Sequence, residues 1–195
     1  MSISPTPTPL RARRLTVGGA LFGLAMLAAA VMWTGVIRGR SLNAWFPAHG
    51  WALELLLGVL AGTGFAATAW VLIDRIPPLK AIARLLLSTL DMQSFSYRHA
   101  LALGLVAGIP EEILFRGAIQ PELGWVLTAL IFGALHAITP AYFVYAATAG
   151  GVLGLLTLWR GSLWAAVAAH TAIDTVMFIL LIHQWRRAHR LPSGD

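Results

Sequence analysis

The chain contains no cysteine and little charge: of its 195 residues, Asp, Glu, Lys and Arg together make up 11%. Without cysteine there are no disulfide frameworks, thiolate metal sites or cysteine nucleophiles. The scarcity of charge excludes an ordinary water-facing surface, because a globular domain is roughly a quarter charged. The formal charge of +6 falls in short clusters between apolar stretches instead of forming a stripe, which argues against nucleic acid as a partner and fits the positive-inside rule. An internal repeat and a Walker-type glycine loop are missing as well. A transporter of inverted repeats should show matched broken helices, yet only one break is apparent, at Gly108-Ile109-Pro110.

What the chain does have is apolar residues: 58% are hydrophobic and the mean hydropathy is +0.75. In lipid only helices and closed barrels satisfy their own backbone, and a barrel would alternate apolar with polar residues. The long unbroken runs therefore predict an all-α, polytopic membrane bundle. Six spans are expected: Leu15–Ile37, Trp51–Ile73, Arg98–Ile119, Leu123–Ala137, Ala141–Trp159 and Leu163–Ile182. The first exceeds the roughly 7–15 apolar residues of a signal-peptide core and reads as a retained anchor. Ile76–Leu90, with Pro77, Pro78, Lys80 and Arg84 in an apolar frame, predicts a short amphipathic helix on the membrane surface.

This divides the chain into a disordered leader over 1–14, marked by Pro5, Pro7 and Pro9, two spans and the linker over 15–97, a membrane core over 98–183, and a basic tail over 184–195. Arg11, Arg13 and Arg14, then Arg75, Lys80, Arg84 and Arg98, then Arg186, Arg187 and Arg190 fall on one side, against Arg38, Arg40 and Arg160 on the other. That asymmetry predicts a multi-pass protein of the cell membrane with both termini in the cytoplasm.

Ionisable side chains inside spans cost ~2.5 kcal/mol or more each and mark function. Glu111, Glu112, Arg116, His136, His170 and Asp174 lie in or near the last four spans, whereas the first two contain only Glu54. Glu112 precedes Arg116 by four residues, the favourable order for an intrahelical ion pair. Glu111 is turned about 100° away on the helix and lacks a local cation, which makes it the candidate base. His170 and Asp174 share one helix face, and Phe132 shares a face with His136. Antiparallel spans at ~1.5 Å per residue bring Glu111, His136, His170 and Asp174 to similar depth, from the midplane into the cytoplasmic half. Gly133, Gly150, Gly151 and Gly154 would allow the helices to approach closely. For Glu122, stabilisation of a helix N-terminus is a sufficient role, and Glu54, His49, His99, His183 and His189 are assigned none.

Glu111-Glu112-Ile113-Leu114-Phe115-Arg116 fits EExxxR, Phe132 to His136 fits FxxxH, and His170 to Asp174 fits HxxxN/D. In this order, on successive apolar segments, the three motifs resemble the CPBP family, which comprises the type II (Rce1-like) CAAX prenyl proteases and bacteriocin-processing relatives. The resemblance covers roughly Ala100 to Ile182 and implies a helical intramembrane endopeptidase. It implies that Glu111 and His136 activate the attacking water, that His170 and Asp174 bind the oxyanion, and that Glu112, Arg116 and Phe132 support the site. Asp174 departs from the asparagine of the well-studied prenyl proteases: an ionised aspartate accepts hydrogen bonds and does not donate them. It must then be protonated, orient His170 as an acceptor, or help hold a metal.

No cofactor is expected. Zinc held by Glu111, His136, His170 and Asp174 is the alternative, since histidines with carboxylates can form an open zinc site. The expected partners are the lipid bilayer and a membrane-anchored peptide or protein substrate, cut in maturation, sorting or self-immunity. HExxH, a GxSG-like serine motif and a second membrane aspartate are all missing, which sets aside other intramembrane proteases. A non-proteolytic scaffold or peptide-binding protein is the competing class, and a proton-coupled transporter would need a polar path that the first two spans do not offer.

Overall fold

A computed structural model describes residues 10–189; the leader prolines Pro5, Pro7 and Pro9, and Arg190 of the tail, lie outside the described residues. Among the described residues the α-helices are α1 (Ala12–Val31), α2 (Trp51–Leu72), α3 (Pro77–Thr89), α4 (Tyr97–Glu112), α5 (Gln120–Leu123), α6 (Trp125–Leu135), α7 (Pro140–Arg160) and α8 (Trp164–Ala188). α1 and α4 run on into wider π-type turns at Met32–Ile37 and Ile113–Ile119. The chain is the all-α bundle that its hydropathy predicts, with α3 in the place of the amphipathic linker.

The expected break at Gly108-Ile109-Pro110 is not one. Pro110 lies inside α4, its ring against Gly23 of α1, where a Cβ would stand 2.9 Å away. The departure from α geometry comes a turn later. Of the six expected spans, four are long and apolar enough to cross a membrane: Ala12–Ile37, α2, α7 and α8. α6 has 11 residues, about 17 Å at ~1.5 Å per residue, and falls short of the ~30 Å hydrocarbon core. α4, with 16 residues, reaches spanning length only together with its π turn.

α8 is the helix around which α2 and α4 pack. Its buried face is mostly alanine: Ala165, Ala166, Ala168, Ala169 and Ala172. Gly58 and Gly62 of α2 meet the carbonyls of Ala165 and Ala169, and Gly104 and Gly108 of α4 meet Thr175 and Thr171. Each pair is four residues apart and so lies on one face. An added Cβ would collide with the facing helix, which is the small-residue contact that replaces hydrophobic drive between helices in lipid. Of the glycines singled out from the sequence, Gly133 and Gly154 are as tight, with a built Cβ 2.7 Å from Ala147 Cβ and from Gln120 Oε1 respectively, and Gly150 sits 3.1 Å from Phe132 Cδ1. Gly151 is different, with 3.9 Å of ordinary room; its part is a carbonyl that accepts from Trp125 Nε1 at 2.7 Å. Leu21, Phe22 and Leu24 of α1 and Leu53, Leu56 and Leu60 of α2 remain exposed, an apolar surface for lipid.

Arg11 approaches Asp91 at 3.5 Å and Arg186 donates to the Phe95 carbonyl at 3.4 Å, so the start of α1 and the end of α8 meet at one end of the bundle. Lys80, 2.7 Å from Asp74, holds that carboxyl below the usual carboxylate range. At the opposite end Arg38 and Arg40 reach Glu122 at 3.0 and 2.7 Å. Glu122 therefore has two cations, and it lies in α5 and not at the start of α6. Glu54, unassigned from the sequence, is buried in the first turn of α2 and takes Arg160 of α7 on both carboxylate oxygens, at 2.6 to 3.1 Å. His99 also has a structural use: it completes the cap of α4 with Ser96.

Candidate active site

The end of α4 supplies both glutamates. In the π turn that follows, the Gln120 N–H reaches back to the Phe115 carbonyl, a wider winding common at functional sites. Glu112 and Arg116 both point inward with fully buried side chains, Nη1 to Oε1 at 2.8 Å. Arg116 also donates from Nη2 to the Gly150 carbonyl at 2.8 Å and lies over the Phe132 ring, 4.8 Å from its centroid. One guanidinium thus links the motif helix to α6 and α7.

Glu112 does more than neutralise Arg116. The same Oε1 lies 2.7 Å from Nδ1 of His170, on α8. A carboxylate paired with arginine only accepts, so the hydrogen is on Nδ1, and the fixed ring turns Nε2 into the bundle, 3.9 Å from Glu111 Oε2 and 3.6 Å from Asp174 Oδ2. His136 is fixed in the same way from the other side. It follows α6 directly, donates from Nδ1 to the Phe132 carbonyl at 2.7 Å, and stacks on the Phe132 ring at 4.4 Å. Its Nε2 stands 3.6 Å from Glu111 Oε2. That oxygen is buried and has no hydrogen-bond partner.

Glu111, His136, His170 and Asp174 therefore converge, together with Phe132, Tyr142 and Tyr145, on one cavity of about 160 Å³. At ~30 Å³ per water it holds a few waters, or a peptide bond and its attacking water. His170 and Asp174 lie six and ten residues from Trp164, the start of the 25-residue α8, about 9 and 15 Å along it. The tyrosines were not singled out from the sequence. The available signal was their spacing, i and i+3 at the start of an otherwise apolar helix.

The separations of 3.6 to 3.9 Å among the inward-facing atoms exceed the roughly 3.4 Å edges implied by a zinc tetrahedron with ~2.0–2.1 Å bonds. Among the described residues no group of three His, Asp or Glu side chains is arranged to hold a metal ion. As it stands, the arrangement is a carboxylate oxygen without a hydrogen-bond partner between two imidazoles whose outer nitrogens are committed, set in an apolar bundle.

Comparison with known proteins singles out the same segment. Residues 93–176 match the Rce1-like family, type II CAAX prenyl endopeptidases. The chain is 36% identical over 84 residues to the uncharacterized protein YpbD of Bacillus subtilis (strain 168), over 42% of this chain and 44% of that protein. It thus spans less than half the length of the curated relative it matches. No solved structure matches it. Residues 93–176, the stretch that matches the Rce1-like family, hold all four converging side chains of this membrane-type helical chain.

Proposed function

We propose that the protein is an intramembrane endopeptidase that hydrolyses a peptide bond of a membrane-anchored peptide or protein. The observation that carries this reading is Glu111 Oε2: buried, unpaired, and flanked by two histidine Nε2 atoms at 3.6 and 3.9 Å. Water held between Glu111 and His136 attacks the scissile carbonyl carbon and gives its proton to Glu111. The carbonyl π electrons move to oxygen, and the oxyanion is stabilised from the side of His170 and Asp174, through a proton held between His170 Nε2 and Asp174. On collapse the C–N bond breaks and the proton on Glu111 passes to the leaving amine. Positioned acid–base catalysis of this kind supplies about 10²–10⁴-fold. Asp174 acts as an acceptor that orients His170, and Glu112, Arg116 and Phe132 hold the two rings in place.

The reaction needs no metal ion, so a chelator is expected to leave the rate unchanged; loss of activity restored by zinc would favour the zinc version of the same site. The shared end of α1 and α8 supports a cell-membrane protein with both termini on the cytoplasmic side. Maturation, sorting or self-immunity processing of a membrane peptide suits so apolar an enzyme.

The test compares the membrane proteomes of cells producing the wild type and Glu111→Gln, which removes the base and keeps its volume. A peptide whose shortened form appears only with the wild type establishes proteolysis and names the substrate. Full cleavage with Glu111→Gln overturns the base assignment, and no such peptide under several growth conditions moves the reading to a scaffold or peptide-binding protein.

A further inference from the structure

The atoms facing the cavity are mostly acceptors. Glu111 and Asp174 offer carboxylate oxygens. His136 and His170 have both committed their Nδ1 hydrogens, to the Phe132 carbonyl and to Glu112, so each presents Nε2, which donates only if it carries an additional proton. A proton shared by His170 and Asp174 provides one donor. An oxyanion that forms away from water is stabilised by preorganised donors aimed at it, and loss of a single one lowers kcat by about 10²–10³-fold. Within this lining, a permanent O–H donor comes only from Tyr142 and Tyr145. The hydrogen bonds around them, His136 to Phe132 and His170 to Glu112, claim neither phenol.

The two tyrosines are not equivalent. Their rings stack, 6.1 Å apart and 8° from parallel, but Tyr145 leans on Phe65 of α2 at 5.8 Å and also lines the apolar groove bounded by α2, α3 and α7. Tyr142 is on the catalytic side. Its ring meets His136 edge-on, 6.5 Å between centroids at 78°. Its backbone is fixed too, because the Thr139 hydroxyl caps α7 by accepting from the Tyr142 N–H at 3.1 Å. A phenol in this position donates a hydrogen bond to developing negative charge without giving up its proton.

Resting on the hydrolytic reading above, we propose that Tyr142 is a catalytic residue, the second oxyanion donor: its Oη–H bonds to the carbonyl oxygen as that oxygen becomes negative, opposite the His170–Asp174 proton. The step moves no proton through the phenol, and Asp174 can remain an acceptor.

The experiment measures steady-state cleavage by the full chain in lipid vesicles, on the membrane peptide identified by the Glu111→Gln comparison. Tyr142→Phe deletes one oxygen and keeps the stacked ring, so its melting temperature is expected to match the wild type. Its kcat should fall about 10²–10³-fold with KM within about threefold, the signature of an interaction made only in the transition state. An aldehyde built on the same peptide, whose hydrate mimics the tetrahedral intermediate, should lose affinity by a similar factor, a readout that holds even if the variant is less stable. An unchanged kcat, or a loss confined to KM, overturns the proposal. If Glu111→Gln is inactive while Tyr142→Phe is fully active, only the tyrosine assignment fails. If Glu111→Gln cleaves like the wild type, or no peptide is found, the hydrolytic reading fails and this proposal with it.

Discussion

Two Glu–Arg pairs among the described residues, one fully buried and one partly exposed, differ in what else they hold. Glu112 and Arg116 lie four residues apart in one helix turn, both side chains fully buried, and each also bonds beyond the pair, Glu112 Oε1 to His170 and Arg116 Nη2 to the Gly150 carbonyl. Glu54 and Arg160 are 106 residues apart and partly exposed; their contacts are with each other, joining the start of α2 to the end of α7. The first pair positions the His170 ring and the second fastens two helices. What separates the two pairs is the third, titratable partner that shares Glu112 Oε1.

The contrast can be broken most forcefully at Arg116. Arg116→Ala strands Glu112 as a buried charge and should lower stability by roughly 3–5 kcal/mol, read as a large fall in melting temperature in lipid or detergent. Activity should be lost with it, because Glu112 no longer fixes His170. Next comes the helix contact that carries His170. Gly62→Ala places a methyl group into the Ala169 backbone, and overpacking of this kind costs about 1–3 kcal/mol. Its thermal shift should be smaller than that of Arg116→Ala, with kcat reduced as α8 moves. The smallest effect belongs to the fastening pair. Glu54→Gln should lower the melting temperature modestly and leave the specific activity of the folded protein unchanged, since none of the cavity residues touches Glu54. A loss of activity in Glu54→Gln at full stability would erase the distinction between the pairs.

The sequence exposes what is local and hides what is distant. Long apolar runs are decisive in a solvent that forbids unpaired backbone, so the helices and their order were legible. So were the four-residue spacings of Glu112 with Arg116, His170 with Asp174, and Phe132 with His136, because a helix converts that separation into contact. The Glu112–His170 bond spans 58 residues and the Arg38–Glu122 pair 84; no periodicity reports such contacts. The shortness of α6 was hidden because the apolar run continues through Ala137 and Ile138 after the α-helix has ended at Leu135.

The alanine-rich face of α8 bears on entropy as well as on space. Burying a long side chain freezes rotamers at a cost of up to about 2 kcal/mol, whereas alanine has none to freeze. The stretch of α8 that carries His170 is thus seated against Gly58 and Gly62 of α2 with little side-chain ordering at that contact. Seating His170 and Asp174 beside such a contact costs less ordering than a leucine-packed helix would.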